Sequence, residues 1–201
     1  MRAICFDLDG TLLQFDRDYR DLLQSAVGDV LDEPDAADLA AYDTAFVDAF
    51  ASHEPDPVRR GFAAALPDAT DADLDALSDA LLRHETDAAD PPVGAAHDLA
   101  RLREEYVLGV VTNGVSDWQR HKLAASGLDQ YFDTVVASYE VGAHKPEPAP
   151  FEAVEARLSA DEFAMVGDSD DDVAGGESAG WATYRYTDER LGSLPDAIDW
   201  H

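Results

Sequence analysis

Five short apolar runs alternate with stretches of helical spacing, and that rhythm constrains this chain more than any other feature. The runs are Ala3-Ile4-Cys5-Phe6, Val107-Leu108-Gly109-Val110-Val111, Thr134-Val135-Val136-Ala137, Phe163-Ala164-Met165-Val166 and the weaker Trp181-Ala182-Thr183-Tyr184. Three of them stop at polar residues: Asp7, then Thr112-Asn113-Gly114, then Gly167-Asp168. Strands that alternate with helices predict an α/β fold, a Rossmann-like parallel sheet flanked by helices. Between the runs, Ser116 is expected to cap a helix running through Leu123 to Gly127. Phe151, Val154 and Leu158 fall on one face of another.

Residues 16–92 break the rhythm. Leu39, Phe46, Val47 and Phe50 fall on one helical stripe, and Leu74, Leu77 and Leu81 on a second. The segment is rich in Ala and Asp, has no convincing strand and ends at Pro91-Pro92. It reads as an all-helical cap inserted after the first strand. The expected division is a core of residues 1–15 and 93–201 and a cap of residues 16–92.

A chain of 201 residues with 46% hydrophobic side chains can bury a core without covalent staples. Its 14 basic residues face 43 acidic ones, a formal charge of −29. Such a surface repels nucleic acid and anionic membranes, so neither is an expected partner. Lysine occurs only at Lys122 and Lys145. An acidic, lysine-poor surface suits a medium where salt screens charge over a few ångströms, and adaptation to high salt is the expectation. The single cysteine, Cys5, forms no internal disulfide and is expected to be a buried thiol. Asp7 and Asp9 interrupt the early apolar stretch, and no run approaches the length of a membrane span. A soluble, cytoplasmic protein is expected.

The chemistry-bearing residues sit at the ends of the predicted strands. Asp7-Leu8-Asp9-Gly10-Thr11-Leu12 follows the first, where a glycine and a threonine after two carboxylates suit a tight turn that presents N–H groups to an anion. Gly167-Asp168-Ser169-Asp170-Asp171-Asp172 follows the fourth. A calcium-loop reading of that stretch fails, because the sixth position is Val173 and the twelfth is Ala179. If the first and fourth strands are neighbours, Asp7, Asp9, Asp168 and Asp172 converge. Two unit charges 4 Å apart repel by about 1 kcal/mol in water and about 4 kcal/mol at an effective dielectric of about 20. Four such groups require a cation, and an all-oxygen set at an open sheet edge suits Mg²⁺. The Thr112 hydroxyl and the Asn113 N–H could hold a phosphate oxygen. Lys145, in His144-Lys145-Pro146-Glu147-Pro148, supplies a compact charge among carboxylates. Lys122 is expected to be an ordinary helix-face residue.

Taken together and in this order, these motifs resemble the haloacid dehalogenase-like (HAD) hydrolase superfamily. Gln119, Lys122-Leu123, Gly127-Leu128, Tyr131-Phe132-Asp133, Glu140-Val141-Gly142 and Ala179-Gly180 also look like that family, and the helical insertion resembles its small α-helical cap. The resemblance implies that Asp7 attacks phosphorus to form an aspartyl-phosphate. It implies that Asp9 protonates the leaving alcohol and then activates water. Thr112 and Lys145 would hold phosphoryl oxygens. The Asp7 side chain, the Asp9 backbone carbonyl and Asp168 would bind Mg²⁺, with Asp172 supporting through water or Lys145.

Single residues narrow the branch. Asp9 disfavours dehalogenation, which needs no protonated leaving group, and residues 16–92 hold no lysine for a phosphonatase Schiff base. The expectation is a Mg²⁺-dependent phosphatase acting on a small phosphate monoester: phosphoglycolate-like, a sugar phosphate or a nucleotide. A sugar-phosphate mutase and a non-catalytic phospho-receiver are the alternatives. Arg17, Arg20, Arg59 and Arg60 are candidate cap cations for an anionic second group on the substrate, and the protein is expected to be a monomer or homodimer.

Overall fold

A computed structural model describes residues 1–31, 37–187 and 190–200. The chain divides into one unit of Met1–Gln14 with Ala89–His201 and a second of Phe15–Ala88.

The first unit is built on five parallel strands: β1 (Arg2–Phe6), β2 (Tyr106–Thr112), β3 (Thr134–Ala137), β4 (Glu162–Gly167) and β5 (Ala182–Arg185). Their spatial order is β3-β2-β1-β4-β5. Each expected apolar run is a strand, within one residue at either end. Period-two alternation explains why these runs are apolar throughout. Ile4 and Phe6 point into one core with Leu108, Val110, Ala164 and Val166, while Ala3 and Cys5 point into another with Val111, Met165, Phe151 and Trp181. Cys5 is fully buried, and burial raises its thiol pKa far above the ordinary value.

The strand order reverses between β1 and β4, whose register pairs Phe6 with Val166. That reversal opens the crevice where ligands bind in open α/β sheets. Asp7 continues the ladder by one bond, its N–H donating to the Val166 carbonyl at 2.9 Å. Two acidic loops far apart in sequence therefore leave the sheet side by side.

Helices α5 (Ala95–Leu102), α6 (Ser116–Ala125), α7 (Ser138–Val141), α8 (Ala149–Arg157) and α9 (Asp170–Ser178) complete this unit. Phe151, Val154 and Leu158 are buried together, as their spacing predicted. Ser116 differs from expectation. It is the first helical residue, Val115 holds the N-cap position, and no side chain caps α6. α9 has the cap that α6 lacks: Ser169 Oγ accepts from the Asp172 N–H, and the Asp172 carboxylate accepts from the Ser169 N–H.

Among its described residues the second unit is built on four helices, α1 (Tyr19–Leu31), α2 (Leu39–Ala51), α3 (Pro57–Ala65) and α4 (Asp71–Asp87), and the stretch 16–92, expected to be all helical, also holds a two-residue strand at Ala89–Asp90. Its ends are tied where the Asp16 N–H donates to the Ala88 carbonyl at 3.2 Å. Leu74, Leu77 and Leu81 form the buried stripe of α4. The stripe expected on α2 is rotated: Tyr42 and Ala49 are the buried residues, and Val47 is 58% exposed. Aromatic packing sets that rotation, with Tyr42 edge-on to Phe62 at 5.0 Å and stacked on Phe46 at 5.8 Å.

Candidate active site

The loop after β1 winds tightly around one carbonyl. The N–H groups of Thr11, Leu12 and Leu13 all donate to Leu8 O, and Leu8, Leu12 and Leu13 are fully buried. These anchors leave Asp7, Asp9 and Gly10 to face the crevice. Gly10 has φ of +89°, and a Cβ there would stand 2.5 Å from Asp168 Oδ2. The glycine allows the two acidic loops to approach each other, and the Thr11 hydroxyl completes the junction by donating to Asp168 Oδ1 at 2.9 Å.

Lys145 lies between the carboxylates. Its ammonium stands 2.8 Å from Asp7 Oδ1 and 2.5 Å from Asp172 Oδ1, and donates to the Val111 carbonyl at 2.8 Å. All three side chains are largely or wholly removed from water. Burial pushes the Asp7 carboxyl up to about 6, against the pull of Lys145. Burial also draws the Lys145 ammonium down, but Asp7 and Asp172 more than offset this and hold it above its ordinary value. Asp172 is fixed from its other oxygen, which accepts from the Ser169 hydroxyl at 2.6 Å and its N–H at 3.0 Å.

Asp7, Asp168 and Asp172 each offer one oxygen within 4.8 Å of the others. This hard, oxygen-only donor set, with more carboxylates than ammoniums around it, fits a divalent cation such as Mg²⁺. The carboxylate of Asp9, expected in the same group, turns elsewhere. Lys122 Nζ contacts both of its oxygens at 2.7 Å, and Gln119 Nε2 donates to Oδ2 at 2.8 Å. Lys122 is thus no helix-face residue. It is 4% exposed, because α6 turns the face that carries it and Gln119, one turn apart, toward the end of β1.

Thr112, at the end of β2, is buried, and its Oγ1 accepts from Gln119 Nε2 at 2.8 Å. Asn113 is used locally: its side-chain oxygen accepts from the Lys145 N–H at 2.8 Å and its amide donates to the Lys145 carbonyl at 3.2 Å. The side chain therefore fixes the backbone that carries the central ammonium. The four arginines lie in the helical unit on local partners. Arg17 bonds to Ser25 Oγ and the Asp21 carbonyl, Arg20 to Asp43, Arg59 to Asp71 and Asp75, and Arg60 to Glu54 and the Pro55 carbonyl.

A family model described as haloacid dehalogenase-like hydrolase matches residues 1–180. The chain belongs to that family. It is 31% identical over 188 residues to a phosphoglycolate phosphatase of Cereibacter sphaeroides, covering 90% of this chain and 82% of that protein. It is 37% identical over 111 residues to the pyrimidine 5'-nucleotidase YjjG of Escherichia coli, spanning 53% of this chain and only 49% of that relative's length. Among solved structures, the HAD-hydrolase YfnB of Bacillus subtilis, bound to magnesium, superposes with a TM-score of 0.65 at 29% identity, covering 90% of this chain and 86% of that one.

Proposed function

We propose that the protein is a phosphatase that hydrolyses a small phosphate monoester through a phosphorylated Asp7. One observation carries this reading: the buried Lys145 ammonium joins Asp7 to Asp172 beside Asp168, at the point where the sheet order reverses. A carboxylate at that crevice is held and oriented for attack, and the charges around it suit an anionic substrate. The relatives named phosphoglycolate phosphatase and pyrimidine 5'-nucleotidase support the same class of substrate.

In the proposed reaction an Asp7 oxygen bonds to phosphorus as the ester P–O bond breaks. The electron pair of that bond goes to the leaving oxygen, which takes a proton from Asp9, a neutral carboxylic acid at the start of this step and a carboxylate at its end. Water then attacks the same phosphorus, Asp9 takes its proton, and inorganic phosphate leaves as the Asp7 carboxylate is restored. Lys145 and Thr112 stabilise charge on the phosphoryl oxygens. Asp7, Asp168 and Asp172 would hold Mg²⁺, which when bound neutralises the phosphoryl group so that a carboxylate can approach it. The helical unit would act as the cap that selects the leaving group, and Arg17, Arg20, Arg59 and Arg60 remain candidates there once released from their local partners. The lysine-poor surface of net charge −29 supports work in concentrated salt.

The test is Asp7→Asn, assayed for phosphate release from p-nitrophenyl phosphate with Mg²⁺. We expect no turnover and an unchanged far-ultraviolet circular dichroism spectrum. Hydrolysis at the rate of the parent protein would overturn the assignment.

A further inference from the structure

The chain has two lysines, and both are buried in the site, one on each of the first two motif carboxylates: Lys145 on Asp7 and Lys122 on Asp9. Burying an ammonium is costly unless it is paired. Twelve of the fourteen cationic residues are arginines, so a lysine at this place answers a local need for a compact charge. Its ammonium bonds to both Asp9 oxygens at 2.7 Å. Gln119 adds a third bond, and the same amide nitrogen donates to Thr112 Oγ1, both at 2.8 Å. Gly114 makes room for this side chain: a Cβ there would lie 2.6 Å from Gln119 Cγ.

We propose that Lys122 and Gln119 are positioning residues that aim the Asp9 carboxyl group at the leaving-group oxygen, where it delivers the proton it carries, and set Thr112 at a fixed distance from it. The inference rests on the proposed phosphatase reading. Asp9 is the more exposed member of the pair, its side chain 35% exposed against 3% for Lys122. Without the ammonium it keeps one bond to Gln119 and can swing into water. A group that transfers a proton must stand within hydrogen-bond reach of the oxygen it serves, and a misplacement of about 1 Å can cost about a hundredfold in rate.

The consequence depends on the leaving group. An alkoxide cannot depart unprotonated, whereas p-nitrophenolate can. The experiment compares kcat/KM, which reports phosphoryl transfer to Asp7 and not the later hydrolysis, for phosphoglycolate and p-nitrophenyl phosphate in Lys122→Met. We expect the alkyl ester to lose about ten- to a hundredfold more than the aryl ester. In an Asp9→Asn background, Lys122→Met should change the alkyl value by less than about threefold, because groups acting through one another are not additive. Equal losses on both esters, or losses that multiply with Asp9→Asn, would overturn the inference. Should Lys122→Met not fold, Gln119→Leu reads the same alkyl-to-aryl ratio, and an unchanged ratio there overturns it equally. An active Asp7→Asn variant would remove Asp7 as the nucleophile, and a parent protein that releases no phosphate from either ester would remove the phosphatase reading itself, which separates those failures from this one.

Discussion

Lys145 and Asp7, 138 positions apart in a sequence of 201 residues, meet at 2.8 Å with their side chains 2% and 11% exposed. The same ammonium holds Asp172, which is fully buried. Removing it leaves two carboxylates facing each other without compensation. Breaking a buried ion pair from one side typically costs about 3–5 kcal/mol. Lys145→Met is therefore expected to lose about that much stability in urea unfolding at neutral pH without added metal. A loss below about 1 kcal/mol, the range of surface ion pairs, would show that water reaches the site freely.

The sheet was legible because parallel strands covered on both faces leave uninterrupted apolar runs, and all five expected runs are strands. The acidic convergence was legible for a related reason. Asp7 and Asp168 follow β1 and β4 directly, and adjacency of those strands brings their ends together. What sequence reasoning missed was set by side-chain direction. The α2 stripe is rotated from its expected position because Tyr42, not Val47, fills the space against Phe62. Lys122 reads as an ordinary helix-face residue because a lone lysine at helical spacing carries no sign of a buried partner. The signal that finds it is the absence of lysine everywhere but at Lys122 and Lys145. Asn113 suggests only a backbone N–H donor in the sequence, while in the structure its side-chain amide holds the backbone of Lys145, a partner 32 residues away.

Gly10 and Gly142 separate backbone strain from site geometry. Both have positive φ, +89° and +68°, but a Cβ on Gly10 meets the Asp168 carboxylate at 2.5 Å while one on Gly142 meets nothing within 4 Å. Gly142→Ala should cost about 1–2 kcal/mol, the conformational penalty alone, with turnover retained. Gly10→Ala carries that penalty and also displaces Asp168. We expect turnover of p-nitrophenyl phosphate to fall at least about a hundredfold, the scale of a 1 Å misplacement. Equal activities in the two variants would mean that the position of Asp168 does not matter to catalysis.

The cluster of Asp7, Asp168 and Asp172 predicts that Mg²⁺ stabilises the folded protein. A ligand that binds only the native state at about a hundred times its dissociation constant adds about 2.7 kcal/mol. In a chain of this size that raises Tm by roughly 5–11 °C. Thermal unfolding in EDTA and in excess Mg²⁺ should show the increase, and Asp168→Asn should abolish most of it. A shift of equal size in Asp168→Asn would place the binding elsewhere on the acidic surface.

That surface supports a last prediction. With 43 acidic and 14 basic residues, the folded chain holds a net charge of −29 at close quarters, and unfolding relieves the repulsion by spreading it out. The ion pairs found outside the site do not offset this, since Arg20–Asp43, Arg59–Asp71 and Arg185–Asp170 lie at the surface, where each contributes little. Screening therefore favours the folded state. The Debye length falls from about 10 Å at 0.1 M to about 3 Å at 1 M, so most of the repulsion disappears over that range. The buried pairs Lys145–Asp7 and Lys122–Asp9 are screened far less and keep their strength. Thermal unfolding followed from 0.05 M to 2 M KCl should show Tm rising by at least about 2–4 °C, the equivalent of about 1 kcal/mol here. A Tm that stays level or falls across the series would mean that the acidic surface does not limit stability.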